Sequence, residues 1–200
     1  MTGSKGDLRA VASARRRDLS PDYRSAAAVA LRDRALALPE LAVPTVALYV
    51  SVEPEPGTGP LLTALHEAGV RVLLPVVLPD RTLDWTAHAG PEAFRPGPHR
   101  IPEPTGRRLG ATGIAQAEVV LLPGLLADRA GNRLGRGGGS YDRALRLRRA
   151  GVPAIVLLYP AEVVEALPVE PHDAPVDAAL TPEGLVRLGK WTNRSSVRQN

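Results

Sequence analysis

The chain has 200 residues, no cysteine and a formal net charge of +4, with an isoelectric point of about 9.9. This length suffices for one domain with its own core, and the lack of cysteine excludes disulfides, thiolate nucleophiles and thiolate-bound zinc. All but two of the 25 basic residues are arginines spread along the chain. Without a basic cluster, we expect no nucleic-acid partner.

The amino terminus lacks an apolar segment of signal-peptide length, and no apolar run reaches the roughly 20 residues that a membrane-spanning helix needs. We therefore expect a cytoplasmic protein that has no membrane partner and is a monomer. Residues 189–200 are polar and have no apolar pattern. They predict a flexible tail after a domain that covers residues 1–188.

Two helices are predicted at the start of the chain. Apolar residues recur near helical spacing from 7 to 18. Ser20 and Pro21 then supply an N-cap and a first-turn proline for a second helix that ends near Leu38. The first helix also carries basic residues whose spacing favours a solvated face, namely Lys5, Arg9, Arg16 and Arg17.

Apolar, β-branched runs predict strands at 43–52 and 70–78. Between them lies a helix that Thr58 could cap and that ends at Gly69. This order makes a βαβ unit, so we expect a parallel sheet. The loop after the first strand then lies at the carboxyl edge, where ligands bind. Glu55 is therefore either a site residue or an ordinary surface acid.

Further strands are predicted at 82–88, 117–122, 153–159 and 176–180, the last of which closes the sheet. Helices are predicted at 141–150, before Gly151, and at 161–166. The proline- and glycine-rich segment 90–108 cannot form regular structure by this pattern, so it is expected to be a functional cover or disordered. The whole pattern indicates an α/β fold.

Residues 128–143 carry the strongest functional signal, with the sequence DRAGNRLGRGGGSYDR. Glycine lets backbone N–H groups converge on an anion, arginine offers a planar fork for phosphate oxygens, and aspartate can hold a divalent cation. The segment is not a Walker A loop, because no Gly-Lys-Ser/Thr follows a glycine five positions earlier. It is not a full dinucleotide fingerprint either, because Ser140 replaces the third glycine. A phosphate site and a flexible glycine hairpin both remain open. Arg133, Arg136 and Arg143 favour the phosphate site.

Other catalytic templates find no support. The four histidines, His66, His88, His99 and His172, lack the His-Glu-x-x-His spacing, and no Gly-x-Ser-x-Gly elbow occurs. Asp142 and Asp173 are expected in separate loops at the carboxyl edge of the sheet. Carboxylate oxygens suit magnesium, which binds through one or two carboxylates, waters and substrate phosphates.

Residues 122–143 closely resemble the signature of the 5-formyltetrahydrofolate cyclo-ligase family, also called 5,10-methenyltetrahydrofolate synthetases. Other similar motifs follow in the family's order and extend the resemblance over residues 5–181. They are Lys5-x-x-Leu8-Arg9, Arg17-x-x-Ser20, Tyr49 through Glu55 and Thr58, Arg71 through Pro75, Glu103-Pro104, and His172-Asp173 with Asp177.

This resemblance implies a single-domain, three-layer α/β/α fold with a mostly parallel, Rossmann-like sheet. It also implies that ATP and Mg²⁺ drive conversion of 5-formyltetrahydrofolate to 5,10-methenyltetrahydrofolate. The implied ATP-binding residues are Lys5, Arg9, Arg133, Leu134, Gly135, Arg136, Gly137, Gly138, Gly139, Ser140 and Tyr141. The implied substrate-binding residues are Val50, Glu55, Arg136, Gly137, Gly138, Gly139 and Ser140. Asp142 and Asp173 would hold the metal, and Arg136 and Asp142 would be catalytic.

Two positions depart from the family pattern. Ser140 stands where the family usually has the first of two tyrosines, and Gly138 stands where a larger residue is common. Both changes concern the folate pocket more than the phosphates. Two alternatives therefore stay open: an ATP-binding paralogue with another substrate, for example in thiamine metabolism, and a non-catalytic nucleotide- or RNA-binding module.

Overall fold

A computed structural model describes residues 3–97 and 102–189. In these residues the helices are α1 (Lys5–Arg17), α2 (Pro21–Leu36), α3 (Gly59–Glu67) and α4 (Ser140–Leu145). The strands are β1 (Thr45–Ala47), β2 (Arg71–Val77), β3 (Leu83–Ala87), β4 (Phe94–Pro96), β5 (Pro102–Pro104), β6 (Val119–Pro123), β7 (Leu126–Asp128), β8 (Arg133–Leu134), β9 (Ala154–Leu157), β10 (Val163–Val164), β11 (Ala178–Thr181) and β12 (Gly184–Arg187).

A seven-stranded sheet in the order β12-β11-β9-β6-β1-β2-β3 forms the centre of the molecule. Its five inner strands are parallel, and the edge strands β3 and β12 are antiparallel to their neighbours. This arrangement confirms the predicted parallel sheet. The strand predicted at 176–180 does not close it, because β12 pairs along its outer side.

Helices cover both faces of the sheet and bury an apolar core on each. On one face, α2 and α3 bury Leu31, Leu61 and Leu65 against the sheet. On the other face, the core includes Leu145 of α4 and Ile114 of a 3₁₀ helix (Ala111–Gln116). The inner strands are buried on both sides, which explains their continuous apolar runs. The expected three-layer α/β/α fold is confirmed.

Local capping fixes where the first helices begin. The Ser4 hydroxyl accepts from the Asp7 N–H, and the Asp7 carboxylate accepts from the Ser4 N–H, so α1 starts with a capping box. Ser20 caps α2 as predicted. Thr58 precedes α3 but does not cap it with its side chain. Its hydroxyl instead donates to the Tyr49 carbonyl at 2.8 Å, which ties down the loop after β1.

Several local predictions were wrong. Segment 90–108 contains regular structure, because β4 and β5 pair as an antiparallel ribbon. The helix predicted at 141–150 ends at Leu145. The helix predicted at 161–166 is a 3₁₀ turn (Pro160–Glu162) followed by β10. His99 and, apart from Gly189, the expected tail lie outside the described residues.

Candidate active site

The chain reverses its winding direction between two neighbouring strands. From β1 it continues to β2 on one side, whereas from β6 it continues to β9 on the other. Such a switch point leaves a crevice at the carboxyl ends of the strands. A cleft of about 590 Å³ lies there, and it is lined by Pro123 at the end of β6, by Gly124 after it and by Glu55 after β1.

This cleft brings together almost every residue that the sequence nominated. Its lining includes Lys5, Arg9, Glu55, residues 133–142 and Asp173. Val50 is the exception, because it packs half-buried against the core under α2 and α3. Two further charged residues of the lining, Arg146 and Glu170, were not predicted from the sequence. Both lie outside the glycine-rich signal, and only the fold brings them to the cleft.

The glycine-rich segment begins as a rigid hairpin of β7 and β8. The buried Asp128 carboxylate stabilises it by accepting four hydrogen bonds. The donors are the backbone N–H groups of Ala130, Asn132 and Leu167 and the side-chain amide of Asn132, at 2.9–3.0 Å. Asp128 therefore shapes the hairpin, and its oxygens are occupied.

Two arginines lie directly against the glycine loop that follows. A Cβ atom on Gly137 would lie 3.4 Å from Arg9 Cζ, and one on Gly139 would lie 3.0 Å from Arg143 Nη1. Both glycines have positive φ angles, 94° and 67°, which other residues adopt only with strain. Arg9 Nε also donates to the Gly135 carbonyl at 2.9 Å. Glycine is required here for the turn and for the close approach of the guanidinium groups.

Arg133 crosses the floor of the cleft in a nearly buried position. Its Nη2 donates to Asp142 Oδ1 at 2.7 Å. A Cβ atom on Gly135 would lie 2.6 Å from Arg133 Nη1, and one on Gly124 would lie 3.3 Å from Arg133 Cγ. Asp142 was expected in a loop, but it lies in the first turn of α4, so the helix sets its direction. The same Oδ1 accepts from the Ala174 N–H at 3.2 Å, which joins α4 to the segment that carries Asp173.

Lys5 reaches across the cleft to two carboxylates. Its Nζ lies 2.6 Å from Asp173 Oδ2 and 2.9 Å from Glu170 Oε2. Burial lowers the pKa of Lys5, but these two hydrogen bonds outweigh it and raise the pKa overall. Burial likewise acts against the charge of Asp173, yet the Lys5 contact holds the pKa of that carboxyl below its usual value. Ligand atoms of Glu170, His172 and Asp173 lie within 4.8 Å of one another.

Glu55 and Arg136 form an ion pair at the switch point, with 3.2 Å between Glu55 Oε1 and Arg136 Nη2. Burial raises the pKa of Glu55, although the Val52 N–H and the Arg136 and Arg16 charges oppose this. Arg136 itself is 60% exposed, whereas Glu55 is 9% exposed. The pair thus places a desolvated carboxylate beside an exposed guanidinium group in the lining of the cleft.

The spacing of the basic residues in α1 favoured a solvated face, but only part of that face is exposed to solvent. Lys5 and Arg9 line the cleft, and Arg16 is buried with only 2% exposure. Arg17 is exposed, as predicted. The missed signal is that Leu8, Ala12 and Arg16 follow one another at spacing i, i+4, so Arg16 continues the buried stripe of the helix.

Sequence comparison with known proteins finds matches to one enzyme family. The sequence model of the 5-formyltetrahydrofolate cyclo-ligase family matches residues 1–182. The 5-formyltetrahydrofolate cyclo-ligase of Mycolicibacterium smegmatis is 38% identical over 191 residues, which cover 92% of this chain and 97% of that protein. The Escherichia coli K12 protein of the same name is 32% identical over 88% of this chain and 98% of its own length.

Solved structures agree with these sequence matches. The NMR structure of Aquifex aeolicus 5,10-methenyltetrahydrofolate synthetase superposes with a TM-score of 0.81 at 27% identity and covers 98% of this chain and 99% of its own. A Mycoplasma pneumoniae 5,10-methenyltetrahydrofolate synthetase gives a TM-score of 0.71 at 21% identity, covers 90% of this chain and 99% of its own, and therefore shows the shared fold. Within the described residues, none of the helices has the length and apolar character needed to cross a bilayer.

Proposed function

The chain belongs to the 5-formyltetrahydrofolate cyclo-ligase family, and from this premise we propose that it cyclises 5-formyltetrahydrofolate to 5,10-methenyltetrahydrofolate with ATP and Mg²⁺. The products would be the methenyl compound, ADP and phosphate. A single observation supports the proposal most directly: one cleft at the switch point of the sheet contains the arginine–glycine loop, the acidic metal candidates and Glu55. A cytoplasmic location and a monomeric state stay predictions.

The charge of the cleft suits a nucleotide. Cationic side chains outnumber anionic ones along its lining: Lys5, Arg9, Arg133, Arg136, Arg143 and Arg146 against Glu55, Asp142, Glu170 and Asp173. Among the described residues, Arg9, Arg143 and Arg146 donate to backbone carbonyls, and none of the three forms an ion pair. Their charge is available to phosphate oxygens, for which the planar guanidinium fork is well shaped. We therefore assign the polyphosphate to Lys5, Arg9 and the loop 133–141.

The carboxylates near α4 fit a magnesium ion. Oδ1 of Asp142 accepts hydrogen bonds from Arg133 and from the Ala174 N–H. Oδ2 of Asp173 accepts hydrogen bonds from Lys5 and from the Glu170 N–H. Within the described chain, the other oxygen of each carboxylate accepts no hydrogen bond. Hard oxygen donors of this kind, with waters and phosphates, are the usual ligands of Mg²⁺. A bound ion would neutralise charge on the transferred phosphoryl group.

The reaction needs positioning more than protein nucleophiles. The formyl oxygen attacks the γ-phosphate and displaces ADP, which gives an imidate-like phosphate. N10 then closes on the activated carbon and loses its proton, and phosphate leaves. Arg136 reaches the centre of the cleft and is assigned to the equatorial oxygens of the transferred phosphoryl group, where preorganised charge lowers the barrier. Glu55 is assigned to the N–H edge of the pterin, because an ionised carboxylate accepts hydrogen bonds from N–H groups.

The proposal is tested by mixing purified protein with 5-formyltetrahydrofolate, ATP and Mg²⁺ and following the absorbance of the methenyl product. We expect the absorbance to grow only when all three are present. ATP binding without this product would favour a paralogue with another substrate, which is the outcome that Ser140 and Gly138 leave open. Binding of RNA with a steep salt dependence, and no turnover, would favour the non-catalytic alternative.

A further inference from the structure

A buried arginine connects the outer helix to the floor of the cleft. Arg16, in the last turn of α1, binds both oxygens of the Glu162 carboxylate, with Nε at 2.6 Å and Nη2 at 2.7 Å. Its Nη2 also donates to the Gly124 carbonyl at 2.6 Å. A two-pronged arginine contact fixes orientation as well as distance. Arg16 therefore locks the end of α1 against β6 and against the 3₁₀ turn after β9.

The helix that Arg16 anchors also carries the cations of the cleft. Lys5 and Arg9 precede Arg16 by about three and two helical turns, so all three side chains lie near one face. Apart from the contacts that Lys5 and Arg9 themselves make in the cleft, α1 is held by a small apolar cluster in which Leu8 and Ala12 pack against residues such as Leu134. Apolar contacts tolerate sliding and rotation, whereas the forked contact of Arg16 does not.

The acceptors of Arg16 are themselves part of the cleft wall or adjoin it. Gly124 follows β6 at the switch point, and a Cβ atom there would lie 2.6 Å from Val156 Cγ2, so the position has no room for a side chain. Glu162 Oε2 also accepts from the Tyr159 N–H at 2.8 Å. The Tyr159 ring lies below the Arg16 guanidinium group, with 5.6 Å between Cζ and the ring centroid.

Tyr159 extends this network to the folate side of the cleft. Its hydroxyl donates to the backbone carbonyl of Glu55 at 3.3 Å. The ring is 3% exposed, so it holds that carbonyl from below the cleft surface. Arg16 thus contacts the segment after β6 directly and, through Tyr159, the loop after β1, and these two segments border the switch point.

Stability alone does not account for this arrangement. Burying two charges costs desolvation, and uncharged replacements of similar volume are often as stable as a buried ion pair. We propose that Arg16 is a positioning residue that sets Lys5 and Arg9 against the glycine loop and holds Gly124 and Glu55 at the switch point. This proposal rests on the assignment of the cleft to ATP and folate.

The test uses the double variant Arg16→Met/Glu162→Gln. Methionine keeps much of the volume, glutamine still accepts from the Tyr159 N–H, and no charge is left unpaired. We expect cooperative unfolding close to that of the wild type, but an ATP Kd raised, and kcat/KM for both substrates lowered, by roughly 10- to 100-fold, as misplacement of about 1 Å can cause. The matched control is Arg15→Met, which removes an exposed arginine next to Arg16 and should change neither quantity.

A purely structural role predicts the opposite result. If the double variant folds, binds ATP within twofold of the wild type and turns over equally, Arg16 does not position the site. If the double variant fails to fold, Arg16→Lys serves the same purpose, since it keeps the charge but loses the fork. Equal ATP affinity and turnover in a folded Arg16→Lys protein would then overturn the proposal.

Calorimetric titration with ATP distinguishes a failure of the Arg16 proposal from a failure of the proposed reaction. A wild-type protein that binds ATP but forms no methenyl product would refute the reaction, and the role of Arg16 would still be judged from the ATP affinities of the variants. A wild-type protein that binds no ATP would overturn both.

Discussion

Arginine–carboxylate pairs occur at both ends of the central sheet, but their surroundings differ. At the carboxyl edge, Arg133 and Asp142 are paired on the floor of the cleft with side-chain exposures of 4% and 18%. At the opposite edge, Glu103 of the β4–β5 ribbon is itself only 14% exposed, but it accepts from Arg95 and Arg108, whose side chains are 60% and 35% exposed, so the difference between the two ends lies in the arginines. Solvent screens exposed pairs, so their interaction is weak, whereas partly desolvated charges act strongly on a ligand.

The ribbon is also turned away from the cleft. Strands β2 and β3 pair with Val77 opposite Leu83 at the cleft end and with Leu73 opposite Ala87 at the far end. The ribbon packs at that far end, where the His88 ring lies 5.4 Å from the Phe94 ring. The same residue types therefore serve different purposes, and the switch point decides which end binds ligands. Mutations in the cleft should therefore reduce activity, whereas mutations in the ribbon should leave it nearly unchanged.

The largest effect is expected at Asp142. Asp142→Asn keeps the shape of the side chain but weakens the contact with Arg133 and would remove a charged ligand from the proposed metal site. We expect kcat to fall by at least about 100-fold, as for the loss of other electrostatic contacts to a reacting group. Steady-state turnover as a function of Mg²⁺ measures this, with circular dichroism to verify folding. Unchanged activity would refute the metal assignment.

A smaller, pH-dependent effect is expected at Glu55. Burial raises the pKa of this carboxyl above 4.5, and its ionised form is the one assigned to the pterin. Lowering the pH through the raised pKa should therefore reduce kcat/KM for the folate, with an acid limb above pH 4.5. Glu55→Gln should abolish that limb and lower kcat/KM by roughly 10- to 100-fold, the value of a hydrogen bond to a charged group.

The stability of the same variant provides its control. Because the folded pKa of Glu55 is raised, its stabilising contribution is present below the unfolded pKa and is lost as the pH rises through the folded pKa. At pH 7, Glu55→Gln should therefore unfold at no lower urea concentration than the wild type. A variant that lost activity together with stability would contradict a binding role for Glu55.

Gly137 should show a moderate effect. Its φ of 94° makes alanine strained there, and the new Cβ atom would meet Arg9 Cζ at 3.4 Å. Gly137→Ala should cost about 1–3 kcal/mol of stability or, if the loop shifts instead, weaken ATP binding. The matched control is Gly59→Ala at the start of α3, where a Cβ atom finds open space. Equal denaturation curves and equal ATP affinities for both variants would show that the loop has no special conformation.

The smallest effect is expected in the ribbon. Glu103→Gln weakens the exposed pairs with Arg95 and Arg108, and such pairs contribute no more than about 1 kcal/mol. Urea unfolding should change little, and kcat/KM should stay within twofold of the wild type. A large loss of turnover would mean that the ribbon takes part in catalysis and that the contrast between the two ends is wrong.

Local sequence signals predicted the parts of the molecule that depend on short-range physics. The βαβ unit from β1 to β2 follows from apolar runs and Gly69. The loop 135–139 follows from its glycines, of which Gly137 and Gly139 adopt positive φ angles that other residues adopt only with strain. Asp142 and Asp173 were nominated from their chemistry, and both line the cleft.

The missed features depend on contacts between distant segments. Arg16 is buried because Glu162, far along the chain, supplies its partner. Glu170 joins the cleft through Lys5 of α1. The ribbon forms because β5 returns to β4 across a connection that looks irregular in composition. Tertiary pairing decides such cases, and no local pattern encodes it.

The proposed reaction requires that one cleft couples phosphoryl transfer to ring closure. The most direct test records phosphate release and methenyl absorbance together in the same reaction. We predict one phosphate for each methenyl product formed, and neither product when ATP or 5-formyltetrahydrofolate is omitted. Phosphate release that does not depend on the folate, or methenyl formation without ATP, would contradict the account.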